Sequence, residues 1–338
     1  MRVVVGIKAL NEERHIEATV RSALAAVEPF NGTVVVADSG SRDDTVEIAR
    51  RLGARVIQLA DPSERSCGAG AQLAFQSADA SDFFCLIDGD MTLVPGFLSA
   101  AINYLTENPQ VAGVGGQITE CNLETEEFQI RAAAMANEGH RRAGFVDRLD
   151  GGGLYRVSAI REVGYFSDRN LTSFEEFDLA ARLASAGWKL TRIPVPAVEH
   201  HGHGGSGYRL LAWRLRSGQL SGAGQVLRGA LGRQHFRFVV ARLKHLRVAA
   251  AIYCWWALIF AAILLAPATT LLLVVLPIAF LSYRRRSVAL GLFSFCLWNA
   301  TALGILLGML MRRVSPKRPL ASRSLGGAAQ VEAFAPVE

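Results

Sequence analysis

Two aspartates separated by one glycine, Asp88-Gly89-Asp90, follow five consecutive apolar residues, Phe83 to Ile87. The apolar run has no helical periodicity and reads as a buried strand. In open α/β sheets ligands collect beyond the carboxyl ends of strands, where Asp88 and Asp90 fall. Two hard oxygen donors, with a glycine permitting the turn between them, suit a divalent cation that takes phosphate oxygens. The same tripeptide is also ordinary turn chemistry, and both readings stand at this point. Further polar pairs end two earlier strands, Asn11-Glu12 and Asp38-Ser39. Asp38 fits an Asx-turn, or a carboxylate accepting hydrogen bonds from a base N–H or a ribose hydroxyl. A second set of acids, Glu175 and Glu176, opens a helical pattern marked by Leu179, Leu183 and Ala186, where the helix dipole favours carboxylates. Asp178 and Arg182, four apart, read as a structural pair. His200, His201 and His203 crowd into four residues, as metal ligands or as a solvated His/Gly loop.

The elements that must position these residues alternate. Strands at Arg2 to Ile7, Thr33 to Ala37 and Arg55 to Leu59 are interleaved with helices at Ile16 to Val27, Thr45 to Leu52 and Gly68 to Ser77. This spacing means right-handed βαβ units and a mostly parallel sheet. The polar strand ends then share one sheet edge and form a composite site. Asp43 or Asp44 can cap the second helix. No Gly-x-Gly-x-x-Gly follows either early strand, which argues against a dinucleotide enzyme. Asp150-Gly151-Gly152-Gly153 permits close backbone approach to a ligand, or a tight turn. Glu120 to Glu127 reads as a solvated surface segment.

Hydrophobic residues make up 51% of the 338-residue chain, but they are concentrated between Val248 and Met311. Residues 1–207 read as a soluble domain, 208–247 as basic amphipathic helices of a membrane interface, 248–311 as a membrane region, and 312–338 as a basic, disordered tail. Val248 to Leu281 is 34 residues, about 51 Å as a helix against a hydrocarbon core of about 30 Å. Pro267 near its midpoint suggests two short spans, with Ser287 to Met311 as a third. Three spans keep Arg284-Arg285-Arg286 cytosolic and push the tail outside, while two spans do the reverse. Three is the expectation. The net charge of +6 clusters around these segments and points to anionic headgroups rather than nucleic acid. No apolar signal precedes the first strand, so the soluble domain is expected in the cytosol at the inner (cytoplasmic) membrane. Five cysteines at unrelated spacings support neither a disulfide framework nor a zinc site with the histidines.

As an ordered set, Leu10-Asn11-Glu12, Val36 to Thr45, Asp88-Gly89-Asp90 and Phe174 to Arg182 resemble the inverting family 2 glycosyltransferases of GT-A fold, over residues 1 to about 205. The resemblance implies a Rossmann-like α/β nucleotide-sugar domain. It assigns nucleotide contacts to Ala9, Asn11, Glu12, Asp38, Ser39, Arg65 and Asp88. It also assigns an Mg²⁺ or Mn²⁺ ion to Asp88 and Asp90, with His200 first and His201 second as the further ligand. Acceptor or donor-sugar contacts fall to Gly152, Gly153 and Glu175. Glu176 stands where the family has its general base, usually an aspartate, so Glu176 and Asp90 are the catalytic residues it implies. The run Arg65 to Gln72 resembles the family's helix start near the pyrophosphate. Lys8 stands where proline is common, and either adds a cation near the phosphates or faces solvent.

The reading is a membrane-anchored, metal-dependent, inverting transferase. It takes a UDP- or GDP-sugar donor and a lipid-linked or membrane-associated hydroxyl acceptor, in envelope polysaccharide or glycolipid synthesis. A polyprenyl-phosphate glycosyltransferase, whose acceptor anion needs no base, is the nearest alternative. A catalytically silent scaffold of an envelope assembly complex is the alternative of another class. A processive synthase is disfavoured because no Gln-x-x-Arg-Trp run is present.

Overall fold

The β-branched opening run forms β1 (Val3–Ala9), which lies between β2 (Thr33–Asp38) and β4 (Phe83–Asp88), parallel to both. The computed structural model describes residues 1–78, 80–122, 138–202 and 207–326, and the chain divides into two compact units. The sheet unit comprises Met1–Leu171, Glu175–Gly204 and the segment from Val314 onward. The helical unit comprises Thr172–Phe174 and Gly205–Arg313.

In the sheet unit β3 (Arg55–Leu59) extends the parallel set beyond β2. Helix α1 (Ile16–Val27) buries Ile16, Val20, Ala23 and Val27, the face its periodicity predicts. Each such side chain contributes about 1.5–3 kcal/mol of burial when large. Helix α2 (Thr45–Arg51) starts at Asp44, but the side chain that accepts from Thr45 N is that of Asp43, at 3.1 Å. Helix α3 (Cys67–Gln76) is capped by Ser66, whose Oγ accepts from Ala69 N.

Beyond β4 the pairing changes, so the sheet is mixed. After β5 (Met91–Leu93) and α4 (Phe97–Glu107) come β6 (Val111–Glu120), β7 (Gly144–Val146), β8 (Gly153–Arg156), α5 (Val157–Glu162), α6 (Glu175–Ser185) and β9 (Lys189–His200). β8 runs antiparallel to β4 and β6, and β9 runs parallel to β6 but antiparallel to β5 and β7. α6 is fixed by Arg182, which donates to Asp178 at 2.9 Å and to the carbonyls of Tyr165 and Phe166 at 2.6 and 2.8 Å.

The basic tail departs from its expectation. Ser322–Ser324 form β10, antiparallel to β3, and Leu320 is buried. Gln76 clasps the Leu320 backbone from both sides, accepting from its N–H at 2.9 Å and donating to its carbonyl at 3.2 Å. Without β10 the N–H and C=O groups of β3 would form an open sheet edge, which explains why a polar segment is ordered there. Residues 327–338 of the expected tail lie outside the described residues.

The helical unit begins with α7 (Gly207–Arg216), α8 (Gly222–Ala230) and α9 (Phe236–Arg242). Then come α10 (His245–Leu265), α11 (Pro267–Arg285) and α12 (Val288–Leu310), each long and apolar enough to cross a membrane. The break falls where Pro267 predicted it, with Ala266 out of helical conformation at ψ 64°. α8 lies tightly on α12 through small residues. A Cβ on Gly224 would overlap the Ile305 carbonyl, and one on Gly308 would overlap the Ser221 carbonyl.

Candidate active site

Three parallel strands end together because their registers align. Lys8 is level with Asp88 on one side and Ala37 on the other, and Ala9 is level with Asp38. The strand tips are then tied to each other. Ser39 N donates to the Ala9 carbonyl at 3.0 Å. Asn11, in left-handed conformation (φ 57°), receives Arg42 N on its Oδ1 at 2.8 Å, and its own N–H reaches Ser41 Oγ. Glu12 N donates to Thr45 Oγ1 at 2.7 Å, and a Cβ at Gly89 would collide with the Glu12 side chain. This collision is why glycine separates the two aspartates.

Lys8 is the residue whose role the sequence left open, and it neither faces solvent nor stands free. Its Nζ lies 3.1 Å from Asp88 Oδ1 and 2.6 Å from Glu175 Oε1. Burial opposes its charge, but Asp88 and Glu175 outweigh that and hold the ammonium well above its ordinary range. Burial raises Glu175, yet Lys8 prevails and keeps it below the usual carboxylate range. Burial raises Asp88, with Lys8 pulling down and Asp90 and Glu175 pushing up. Glu176 is different. Burial, then Glu175, Asp150 and Asp88, drive it well above the carboxylate range against the pull of Lys8. It keeps some exposure, and no hydrogen bond from the described residues engages its carboxylate. The two neighbouring glutamates are thereby distinguished, one locked to Lys8 and one available.

Asp90 is buried, and His200 Nε2 stands 3.4 Å from its Oδ2. The other ring nitrogen, Nδ1, is 2.6 Å from Glu120 Oε2. Burial disfavours the imidazolium, but Asp90 and Glu120 raise the His200 pKa to about 10. Glu120 is therefore not the solvated residue expected, because it also accepts from Arg141 Nη1 at 3.1 Å. Residues 123–127 of that segment lie outside the described residues, as does His203. Arg141 continues to Asp150 at 3.2 Å, and His140 Nε2 meets the same carboxylate at 2.8 Å. Burial would raise Asp150, but His140, Arg141 and Arg148 hold it down at about 2. A charged network therefore runs from Asp90 to Asp150, on residues that are far apart in the chain.

Several expected ligand contacts also have partners within the chain. Asp38 is buried and accepts from Gly40 N, Ser41 N and Gln58 Nε2 at 3.0, 3.1 and 2.8 Å, so its carboxylate organises its own turn. Arg65 is exposed, and the α3 amides behind it are already paired, Gly68 N with the Leu171 carbonyl and Ala69 N with Ser66. Gly152 (φ 84°) and Gly153 are buried, and a Cβ on them would strike Val198 and Tyr155 respectively. Packing by itself calls for glycine at both positions.

The residues fit a divalent cation. Asp88 and Asp90 offer hard oxygens beside two further acids, and the excess negative charge at this edge is what such an ion relieves. His200 is the histidine that faces it. His201, the residue after β9, lies instead beside Glu199 and Cys121.

Residues 4–164 match the family described as Glycosyl transferase family 2. The chain is 30% identical over 202 residues to the succinoglycan biosynthesis protein ExoA of Rhizobium meliloti (strain 1021), covering 55% of this chain and 59% of that protein. It is 31% identical over 115 residues to the probable glucomannan 4-beta-mannosyltransferase 15 of Arabidopsis thaliana, 32% of this chain and 21% of that one. The chain thus spans less than two thirds of either relative. In fold it is similar to the mannosyltransferase PcManGT from Pyrobaculum calidifontis, solved with GDP-Man and Mn²⁺. The TM-score is 0.59 at 18% identity, covering 90% of this chain and 86% of that one.

Proposed function

We propose, from the match of residues 4–164 to glycosyl transferase family 2, that this chain is a metal-dependent inverting glycosyltransferase. It moves a sugar from a UDP- or GDP-linked donor to a hydroxyl of a lipid-linked or membrane-associated acceptor, in envelope polysaccharide or glycolipid synthesis. Its apolar helices hold it at the cytosolic face of the inner membrane. The observation that carries this reading is the gathering of Asp88 and Asp90, at and just beyond the tip of β4, with Glu175 and Glu176 at the start of α6, where Lys8 bridges Asp88 and Glu175 and makes no ion pair with Glu176.

Asp88, Asp90 and His200 would hold an Mg²⁺ or Mn²⁺ ion, which when bound offsets the charge of the departing nucleoside diphosphate. Glu176 takes the proton of the acceptor hydroxyl as that oxygen bonds to the anomeric carbon. The bond from that carbon to the diphosphate oxygen breaks, and the leaving diphosphate carries away the electron pair. A base poised above the usual carboxylate range serves this step better than an ordinary glutamate. Lys8 keeps Glu175 ionised and still, so that Glu176 is presented by a fixed helix.

The test is binding and turnover of a panel of nucleotide sugars by the detergent-solubilised protein, with Mn²⁺ or Mg²⁺ and with chelator. Metal-dependent binding that disappears in Asp90→Ala is the expected result. No binding of any donor, with or without metal, overturns the transferase reading in favour of a scaffold.

A further inference from the structure

Strand alternation separates the two histidines at the end of β9. His200 turns to Asp90 and Glu120, while Glu199 and His201 share the opposite face. Parallel pairing of β6 with β9 sets Thr119 level with Glu199 and Glu120 level with His200. A further bond, Cys121 N to the His200 carbonyl at 2.8 Å, extends the ladder by one residue and brings Cys121 beside His201. The sequence offered these histidines no cysteine, because Cys121 is distant in the chain and only the strand register delivers it.

The Cys121 Sγ, a Glu199 carboxylate oxygen and a His201 ring nitrogen lie within 4.8 Å of one another. His201 is steadied on both sides. Its N–H donates to the Asp90 carbonyl at 2.9 Å, and its ring stacks on that of His15 at 5.6 Å between centroids. Cys121 and Glu199 are exposed, so an ion can reach them from solvent.

We propose that Cys121, Glu199 and His201 form a second metal site, of zinc(II) class, on the face of the β6–β9 ladder opposite Glu120 and His200. One sulfur, one imidazole nitrogen and one carboxylate oxygen are the donors a borderline-soft ion prefers, and three protein ligands leave a fourth tetrahedral position for water. Mg²⁺ and Mn²⁺ favour the all-oxygen pair Asp88 and Asp90, so the two sites differ in the ion they select. Binding releases the thiol proton of Cys121 to solvent and forms the sulfur–metal bond. The ion pins together the ends of β6 and β9, and so fixes the strand ends whose other face carries Glu120 and His200.

The test uses the full chain in detergent, stripped with chelator and titrated with Co²⁺ and then Zn²⁺. The expected result is a near-ultraviolet sulfur-to-cobalt charge-transfer band that saturates at one Co²⁺ per chain and is displaced by Zn²⁺. It persists in Asp90→Asn and in Cys67→Ser, and is lost in Cys121→Ser. Absence of the band in the unsubstituted protein, or its survival in Cys121→Ser, overturns the proposal. Should Cys121→Ser not fold, alkylation of Cys121 in the unsubstituted protein, followed by mass spectrometry, decides instead. Protection by Zn²⁺ supports the site, and a rate unchanged by Zn²⁺ overturns it.

Discussion

Lys8 sits one position from the end of an otherwise apolar, buried strand and makes two ion pairs there, with side-chain exposures of 19% for itself and 10% for Glu175. Removing one partner of such a pair strands the other charge, at a cost of about 3–5 kcal/mol. Lys8→Met should therefore lower the melting temperature in detergent clearly, and Glu175→Gln in the same background should recover part of the loss. Additive effects of the two substitutions would argue against the pair. Glu176→Gln, by contrast, should leave nucleotide-sugar binding intact and lower turnover by about 10²–10⁴-fold. Unchanged turnover would favour a phosphate acceptor that needs no base. Asp150 gives a pH signature. Its folded pKa lies at about 2, below its ordinary 3.8, so its ionised form favours the folded state. The stability gap between the unsubstituted protein and Asp150→Asn should be constant near neutrality, shrink as pH falls below 3.8 and close near 2. Asp88, Asp90, Glu176 and His200 could be nominated from the sequence because their types and order suggest the chemistry proposed for them. Lys8 left a weaker signal, a lone cation in a buried strand, which must find a carboxylate. Glu120 and Asp150 left none, since their partners are set by pairing across β6 and β9.

At the scale of elements, the sequence exposed the βαβ half well because buried parallel strands and amphipathic helices have distinct periods. The antiparallel half was harder to read. β5, β7 and β8 are three or four residues long, too short for alternation to show. The pairing of Asp178 with Arg182 was readable from its spacing of four, whereas the carbonyls of Tyr165 and Phe166 that complete it were not. The small residues of α8 and α12 were likewise silent until the two helices met. Gly308→Leu should disrupt that contact by about 1–3 kcal/mol or more, because backbone rather than a flexible side chain stands in the way. A melt of the detergent-solubilised variant checks this, with Leu310→Ala, at the exposed end of α12, as the control expected to change little.

At the scale of the whole molecule, composition separated the apolar region from the soluble one and located its break at Pro267, but it misjudged the segment after α12. A basic, glycine-containing tail carries no local signal of order, since β10 exists only because β3 offers an edge. The pairing of β10 with β3 has an arithmetic consequence. The chain leaves the sheet unit before α10 and re-enters it after α12, and a folded sheet cannot lie on both sides of a bilayer. If that pairing holds in the bilayer, the journey is a round trip and complete crossings are even in number, which sets two crossings against the expected three that the helix lengths allow. Reporter tags placed ahead of β1 and after β10 should accordingly read out the same compartment. Opposite compartments would mean that β10 leaves β3 in the membrane-bound enzyme.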